Sequence, residues 1–125
     1  DTYLGFAAKV ELLRQKLLGL LWRLKSEGSR IAGYGAPAKG NTLLNYCNIG
    51  TELVAYTVDK SPLKQGLYTP GTRIPIFPAE KLLEDSPEYV LILAWNFADE
   101  IIQQQKVFRE RGGKFIIPLP EPRVI

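Results

Sequence analysis

The stretch Arg30-Ile31-Ala32-Gly33-Tyr34-Gly35-Ala36-Pro37-Ala38-Lys39-Gly40-Asn41 predicts a short buried strand, a glycine turn and the start of a helix. Proline suits the first helical position because its missing N–H would have no partner there. The spacing Gly-x-Gly-x-x-Ala fits the relaxed dinucleotide fingerprint. A helix N-terminus after such a turn offers N–H groups and a positive dipole end to an anion, and Lys39 adds a full charge. The turn therefore predicts a phosphate or diphosphate ligand; the alternative is that it needs glycine only for close packing.

Strand-like and helix-like segments alternate along the rest of the chain. An amphipathic helix is predicted over residues 3–25, with helices also over 37–47, 78–83 and 97–111, and strands over 31–34, 53–58, 74–77, 89–94 and 114–117. Continuous apolar runs favour parallel strands that are buried on both faces. The pattern predicts an α/β fold, a Rossmann-like three-layer sandwich of about five mainly parallel strands with helices on both faces, preceded by the long helix. We interpret residues 1–28 as a connecting helix, 29–125 as one globular domain, and the proline-rich residues 118–122 as a rigid extended tail.

Composition narrows the class of protein. A length of 125 residues suits one domain, and 46% hydrophobic with 23% charged residues is ordinary globular composition. A net charge of +3 is too small to indicate nucleic-acid binding, and no apolar stretch approaches the ~20 residues of a membrane span. The start without methionine suggests a fragment of a longer protein. The lone Cys47, expected to be a buried small hydrophobe, and the absence of a signal peptide favour the cytoplasm. With no histidine, a His metal site or His-based triad is excluded within this chain, and no catalytic residue or metal ligand is predicted.

In an open α/β sheet, ligands bind beyond the carboxyl ends of the strands. Candidate binding residues follow three of the predicted strands there: Tyr34, Gly35, Ala36, Lys39 and Asn41 after the first, Asp59, Lys60 and Lys64 after the second, and Trp95 and Asn96 after the fourth.

Several of these candidates have an alternative structural role. Asp59 stands where an acidic residue accepts a ribose hydroxyl, but it also suits the start of a turn. Trp95 is suited to stacking on a base or sugar, or to packing under a loop. Asn96 is a candidate N-cap as well as a ligand contact. Lys60, Lys64 and Arg73 form either a solvated basic loop or an anion or partner site.

Three motifs resemble the C-terminal domain of sugar C-methyltransferases, which methylate a carbon of a nucleotide-linked deoxysugar with S-adenosylmethionine. They are GYGAPAKGNTLLNY at residues 33–46, VDKSPLKQGLYTPGT at 58–72 and LILAWNFADEI at 91–101. The similarity extends over nearly the whole chain. It implies an N-terminal zinc-binding segment and a central methyltransferase domain upstream, which would hold the zinc ligands, the S-adenosylmethionine site and the catalytic base.

The resemblance also implies a place for the substrate. The sugar nucleotide is expected between the central domain and this one, which makes residues 34–41, 59–64 and 95–96 its candidate contacts. The helix over residues 3–25 would connect back to the central domain, in cis, and its wide apolar surface would suit a homodimer. We expect no cofactor on this chain itself, and no nucleic-acid or membrane partner.

Two other hypotheses stay open at this point. The chain is alternatively a free-standing module that binds CoA, NAD or another nucleotide, which the glycine turn and Asp59 favour. It is otherwise a structural domain with an empty site.

Overall fold

A computed structural model of the protein describes the backbone of residues 2–125, and the side chains of residue 5 and residues 7–125. Its helices are α1 (Thr2–Ser26), α2 (Ala38–Tyr46), α3 (Lys81–Asp85), a 3-10 helix (Trp95–Phe97), α4 (Ala98–Gln104) and α5 (Lys106–Glu110). Its strands are β1 (Ile31–Tyr34), β2 (Thr57–Val58), β3 (Ile76–Phe77), β4 (Tyr89–Ile92), β5 (Lys114–Ile117) and β6 (Arg123–Val124). None of the helices in the described residues is long and apolar enough to cross a membrane.

The strands form one sheet in the order β3-β2-β1-β4-β5-β6. The first five are mutually parallel, and β6 pairs with β5 in the antiparallel direction. The prediction of a Rossmann-like α/β fold with about five mainly parallel strands and a long N-terminal helix is confirmed, and the sheet gains a sixth strand.

Each face of the sheet carries its own hydrophobic cluster, because successive residues of a strand point to opposite faces. On one face, α1 and α2 cover residues that include Ile31, Leu91, Leu93 and Ile116. On the other face, α3, α4 and α5 cover residues that include Ala32, Val90, Ile92 and Phe115. The sheet is therefore covered on both sides, as its apolar strands predict.

Helix α1 belongs to this core only in its second half. Leu17, Leu21 and Leu24 are buried against the first cluster, whereas Leu12 and Trp22 are about half exposed, at 50% and 49%. The helix ends at Ser26, and Gly28 follows in the turn with a φ of +89°, a left-handed conformation that favours glycine. The described residues therefore give α1 a packed second half and a mostly exposed first half; its connection to a preceding domain stays a prediction.

Local predictions fail where the chain departs from regular elements. The strand predicted over residues 53–58 is confined to β2, because the buried Leu53 and Val54 enter the core from a turn. Pro37 precedes the helix instead of opening it, at φ −76° and ψ 163°. The helix predicted over 97–111 begins as the 3-10 helix and is interrupted at Gln105. Asn96 lies within that 3-10 helix and caps nothing, so its prediction as an N-cap is wrong.

Candidate functional site

The sheet order places a crevice between the carboxyl ends of β1 and β4. The two strands are neighbours, with Tyr34 opposite Ile92, but the chain continues from β1 toward β2 and β3 and from β4 toward β5. Where connections diverge in this way, the loops separate and leave a space at the edge of the sheet. The crevice there has a volume of about 250 Å³ and is lined by residues 37–39 on one side and 93–97 on the other.

The crevice brings together three of the predicted site residues. Lys39 comes from the first turn of α2, and Trp95 and Asn96 come from the 3-10 helix after β4. Leu93, Ala94 and Phe97 add apolar walls. Lys39 is exposed, and in the described part of the chain its ammonium group makes no hydrogen bond or ion pair. A free cation beside apolar walls favours an anionic ligand, because the walls weaken the screening by water.

The N-terminus of α2 lies at the crevice and has no capping side chain. Pro37 makes no side-chain hydrogen bond to the helix, and the first turn carries no acidic residue. The first N–H groups of a helix have no partner within it, and their dipole end is positive. A lysine in this first turn is electrostatically unfavourable for the helix on its own. Both features become favourable when an anion is bound there.

Close packing within the sheet and between the sheet and α2 explains three of the glycines. A Cβ at Gly40 would lie 2.9 Å from Leu93 Cβ, and one at Gly33 would lie 2.9 Å from Thr57 Oγ1. Gly35 has a φ of +93°, and its Cβ would lie 3.2 Å from Ala94 Cβ. The glycines therefore serve close packing and the left-handed turn, and this packing brings the start of α2 to the crevice.

The glycine turn itself is tied to the loop that follows β2. Asp59 Oδ2 accepts a hydrogen bond from Ala36 N at 3.0 Å, and Lys64 Nζ donates one to Ala36 O at 3.0 Å. Asp59 Oδ1 also accepts one from Ser61 N at 2.8 Å, which is the turn role predicted for it. We call Asp59, Lys64 and the Ala36 peptide the latch. It satisfies both backbone polar groups of the buried Ala36 and holds the turn in one shape.

Gly35 is also satisfied from within the chain. Its N–H donates to Val58 O at 2.6 Å, and its carbonyl accepts from Thr57 Oγ1 at 2.9 Å. The buried Thr57 side chain therefore belongs to the turn. Neither Gly35 nor Ala36 offers a free backbone N–H to a ligand, so the donors that remain at this edge are those of the first turn of α2.

Tyr34 and Asn41 have buried polar atoms without a partner. In the described residues, neither the Tyr34 hydroxyl nor Asn41 Oδ1 makes a hydrogen bond. Tyr34 belongs to the cluster under α3, α4 and α5, where its hydroxyl lies near the Gln105 side chain. Burial raises the pKa of the Tyr34 hydroxyl above its ordinary value of 10.0, and the nearby Asp59 and Glu80 carboxylates add to the rise. Its side chain is thus a neutral phenol directed away from Lys39, in the opposite layer.

The remaining predicted residue and the lone cysteine are simpler. Lys60 is exposed on the loop after β2 and does not line the crevice. Cys47 is 1% exposed, as expected of a buried small hydrophobe, and this burial raises the pKa of its thiol. A protonated, inaccessible thiol suits packing and not nucleophilic chemistry.

A second, larger cavity adjoins the crevice, and apart from Trp95 and Asn96 its residues were not predicted as site residues from the sequence. It has a volume of about 480 Å³ and shares Trp95 and Asn96 with the crevice. Its other walls are Asp99 at the start of α4, Ile117 at the end of β5, and the tail with Arg123. We call it the distal cavity. The tail closes it because residues 118–122 turn back and allow β6 to pair with β5, instead of extending away.

Comparison with known proteins identifies a family and a relative that match nearly the whole chain. Residues 1–120 match the family described as C-methyltransferase C-terminal domain. The chain is also 46% identical over 123 residues to the C-methyltransferase NovU of Streptomyces niveus, an alignment that covers 98% of this chain and 29% of that relative. The chain therefore spans less than a third of the length of the relative that it matches.

Proposed function

This chain belongs to the family of C-methyltransferase C-terminal domains, and from that membership we propose that it binds the nucleotide end of a nucleotide-linked deoxysugar. Methylation of a sugar carbon would take place in a preceding methyltransferase domain of the same protein. The observation that carries the proposal is the crevice at the switch point of the sheet, with the uncapped start of α2 and the free ammonium group of Lys39. A diphosphate matches this combination of backbone donors and one cation.

The role of the chain in the reaction would be to position the substrate. The phosphates are remote from the sugar carbon that reacts, so their binding energy is available to orient the sugar. Fixing the sugar against the methyl donor removes much of the entropic cost of bringing two reactants together. Lys39 would neutralise phosphate charge, and the latch would keep the glycine turn and α2 in the binding geometry.

We assign the S-adenosylmethionine and zinc sites to preceding parts of the protein. S-Adenosylmethionine would supply the methyl group there. Zinc ligands in proteins are mainly Cys, His and carboxylates at one point. The sequence has no histidine, the single Cys47 is buried, and the described residues contain no group of three potential ligands. The side chains that the structure describes do not fit a zinc site.

The alternative of a free-standing CoA or NAD module receives less support from the geometry. In such a module Asp59 would accept hydrogen bonds from the ribose hydroxyls. Each of its carboxylate oxygens already accepts a hydrogen bond from a backbone N–H. Those two bonds hold the turn, so a ribose contact would have to share or replace them.

Calorimetric titration of the protein with dTDP, NAD and CoA tests the proposal. We expect dTDP to bind and Lys39→Ala to weaken its binding about tenfold, which is about 1.4 kcal/mol. The matched control is Lys114→Ala, which removes an exposed lysine at the amino end of β5, on the opposite edge of the sheet. Equal dTDP affinity in the Lys39→Ala variant and the wild type would contradict the proposal. Tight binding of NAD or CoA would favour the alternative module, and no binding of any of the three would refute a nucleotide site on this chain.

A further inference from the structure

We propose that the distal cavity receives the nucleobase of the nucleotide whose phosphates lie in the crevice. The two cavities would then form one two-part site, divided by Trp95. This inference rests on the proposed function and adds to it the location of the base and the residues that recognise it.

The two cavities lie close enough to hold one molecule. Both are lined by Trp95 and Asn96, so the 3-10 helix is a wall shared by the two spaces. The crevice has the cationic Lys39 and the start of α2, whereas the distal cavity is about twice as large. A nucleotide has a small charged end and a larger planar end, and the pair of cavities has the same asymmetry.

The walls of the distal cavity suit a planar ring. Trp95 is half-buried and packs against both hydrophobic clusters, which fixes the position of its indole ring. Ile117 and Leu119 add aliphatic surface on the far side. Aromatic side chains bind bases by stacking, and this contact is available to any base because every base has a π face.

The rim of the distal cavity supplies one carboxylate and one guanidinium group. Asp99 and Arg123 both line it, and in the described residues neither side chain makes a hydrogen bond or an ion pair. Two opposite charges that face one space without pairing leave an acceptor and a donor for a ligand. The edge of a base such as thymine presents an N–H next to carbonyl oxygens, which complements this pair.

The same rim argues against a second phosphate in this cavity. The Asp99 carboxylate would repel it and offset the attraction of Arg123, whereas the crevice carries Lys39 and no acidic side chain. The charges thus assign the phosphates to the crevice and the base to the distal cavity, and not the reverse.

The tail holds Arg123 in place. Arg123 pairs with Ile117 in the register of β5 and β6, and Glu121 makes an ion pair with Lys16 of α1 at 3.0 Å. The proline-rich segment 118–122 therefore runs between two paired residues, Ile117 and Arg123, and the Glu121 ion pair adds a contact from within it. Its role in the site would be to bring a guanidinium group to the carboxyl edge of β5.

The test compares two ligands, dTDP and inorganic pyrophosphate, by calorimetry. We expect Asp99→Asn and Arg123→Gln each to weaken dTDP binding about tenfold and to leave pyrophosphate binding unchanged, because only dTDP carries a base. Lys39→Ala is expected to weaken both ligands. Arg111→Gln is the matched control, since Arg111 is an exposed arginine at the end of α5 and lines neither cavity.

The outcomes separate this inference from the proposed function. If Lys39→Ala weakens dTDP binding while the Asp99 and Arg123 variants bind it like the wild type, the base site is refuted and the phosphate site stands. Equal losses for dTDP and pyrophosphate in those two variants would place phosphate, not base, in the distal cavity. If dTDP does not bind to the wild type, both proposals fail.

Tryptophan fluorescence provides a second measurement that needs no change in the site. The chain has two tryptophans, and Trp22 lies on the exposed side of α1. In a Trp22→Phe variant, Trp95 is the only tryptophan that emits. We expect dTDP to quench this emission by stacking and pyrophosphate to leave it unchanged; identical responses to both would contradict the base site.

Discussion

The glycine turn after β1 and the first turn of α2 are adjacent at the edge of the sheet, but their polar groups differ in whether they have partners. In the turn, the N–H and carbonyl groups of Gly35 and Ala36 all bond to residues within the chain. Two residues later, α2 begins without a cap and Lys39 has no partner within the described chain. The turn therefore has all its polar groups satisfied within the chain, whereas the start of α2 carries the unpartnered groups to which we assign the proposed ligand, although the sequence joins them in one motif.

The largest test of this difference is the replacement of Gly35 by alanine. Its φ of +93° strains any other residue, and the new Cβ would meet Ala94 Cβ at 3.2 Å. We expect Gly35→Ala to lower the free energy of unfolding by about 3 kcal/mol, as strain and close contact add. The measurement is denaturant unfolding followed by circular dichroism.

Gly28 provides the matched control for that substitution. Its φ is +89°, but no atom lies within 4 Å of its Cβ position. Gly28→Ala therefore carries the backbone strain alone, and we expect a loss of about 1 kcal/mol. Equal losses at the two glycines would show that the turn after β1 is not closely packed.

A smaller effect is expected when the latch is opened. Asp59→Ala leaves the buried Ala36 N–H and the Ser61 N–H without an acceptor, and we expect the free energy of unfolding to fall by about 2 kcal/mol. Asp59→Asn, which keeps an acceptor oxygen of the same size, is expected to lose less. A variant Asp59→Ala that is as stable as the wild type would refute the structural role of the latch.

Lys39 is expected to behave in the opposite way to Asp59. Because its cation lies in the first turn of α2, Lys39→Ala is expected to raise the free energy of unfolding slightly, by about 0.5 kcal/mol, while it weakens dTDP binding. Stability from thermal or denaturant unfolding and affinity from calorimetry then change in opposite directions. A fall in both would place Lys39 among the residues that stabilise the fold.

The smallest effect concerns pH and the opposite edge of the sheet. The backbone N–H of Arg30 donates a hydrogen bond to Glu88 Oε1, with a distance of 2.7 Å between the nitrogen and the oxygen. This bond is the main cause that lowers the pKa of Glu88 below its ordinary value of 4.5, and the Arg30 side chain lowers it further. A carboxylate with a lowered pKa in the folded state stabilises the protein above its unfolded pKa, and this contribution is lost as pH falls through the folded value. We expect Glu88→Gln to reduce the acid dependence of stability near and below pH 4.5 without a change in dTDP affinity. An unaltered acid transition in that variant would contradict this role.

The fold could be predicted from local pattern, because each parallel strand is a short apolar run between helix signals. The position of the crevice also followed, since consecutive carboxyl ends meet at one edge. The latch could not be predicted in the same way. Lys64 and Ala36 are 28 positions apart, and the bond depends on how the loop after β2 folds back over the turn.

The distal cavity shows the same limit more strongly. Asp99 has the sequence signature of a helix start, and Arg123 lies in a proline-rich end that suggests an extended tail. Their proximity depends on β6, a strand of two residues whose pairing with β5 is a tertiary contact without a local signal. Trp95 could be selected from the sequence because an indole ring suits stacking wherever it lies. Asp99 and Arg123 become candidates only because the structure places them at the same cavity.

The half-packed helix α1 has a consequence for geometry. Leu17, Leu21 and Leu24 fix the rotation of its second half, and the helix is continuous from Thr2 to Ser26. Its exposed first half is therefore a rigid spacer whose rotation about the helix axis is fixed relative to the sheet. Removing one residue from it would turn everything before that point by about 100° and shorten the spacer by about 1.5 Å. Removing seven residues would restore the original rotation about the helix axis to within about 20° and shorten the spacer by about 10 Å.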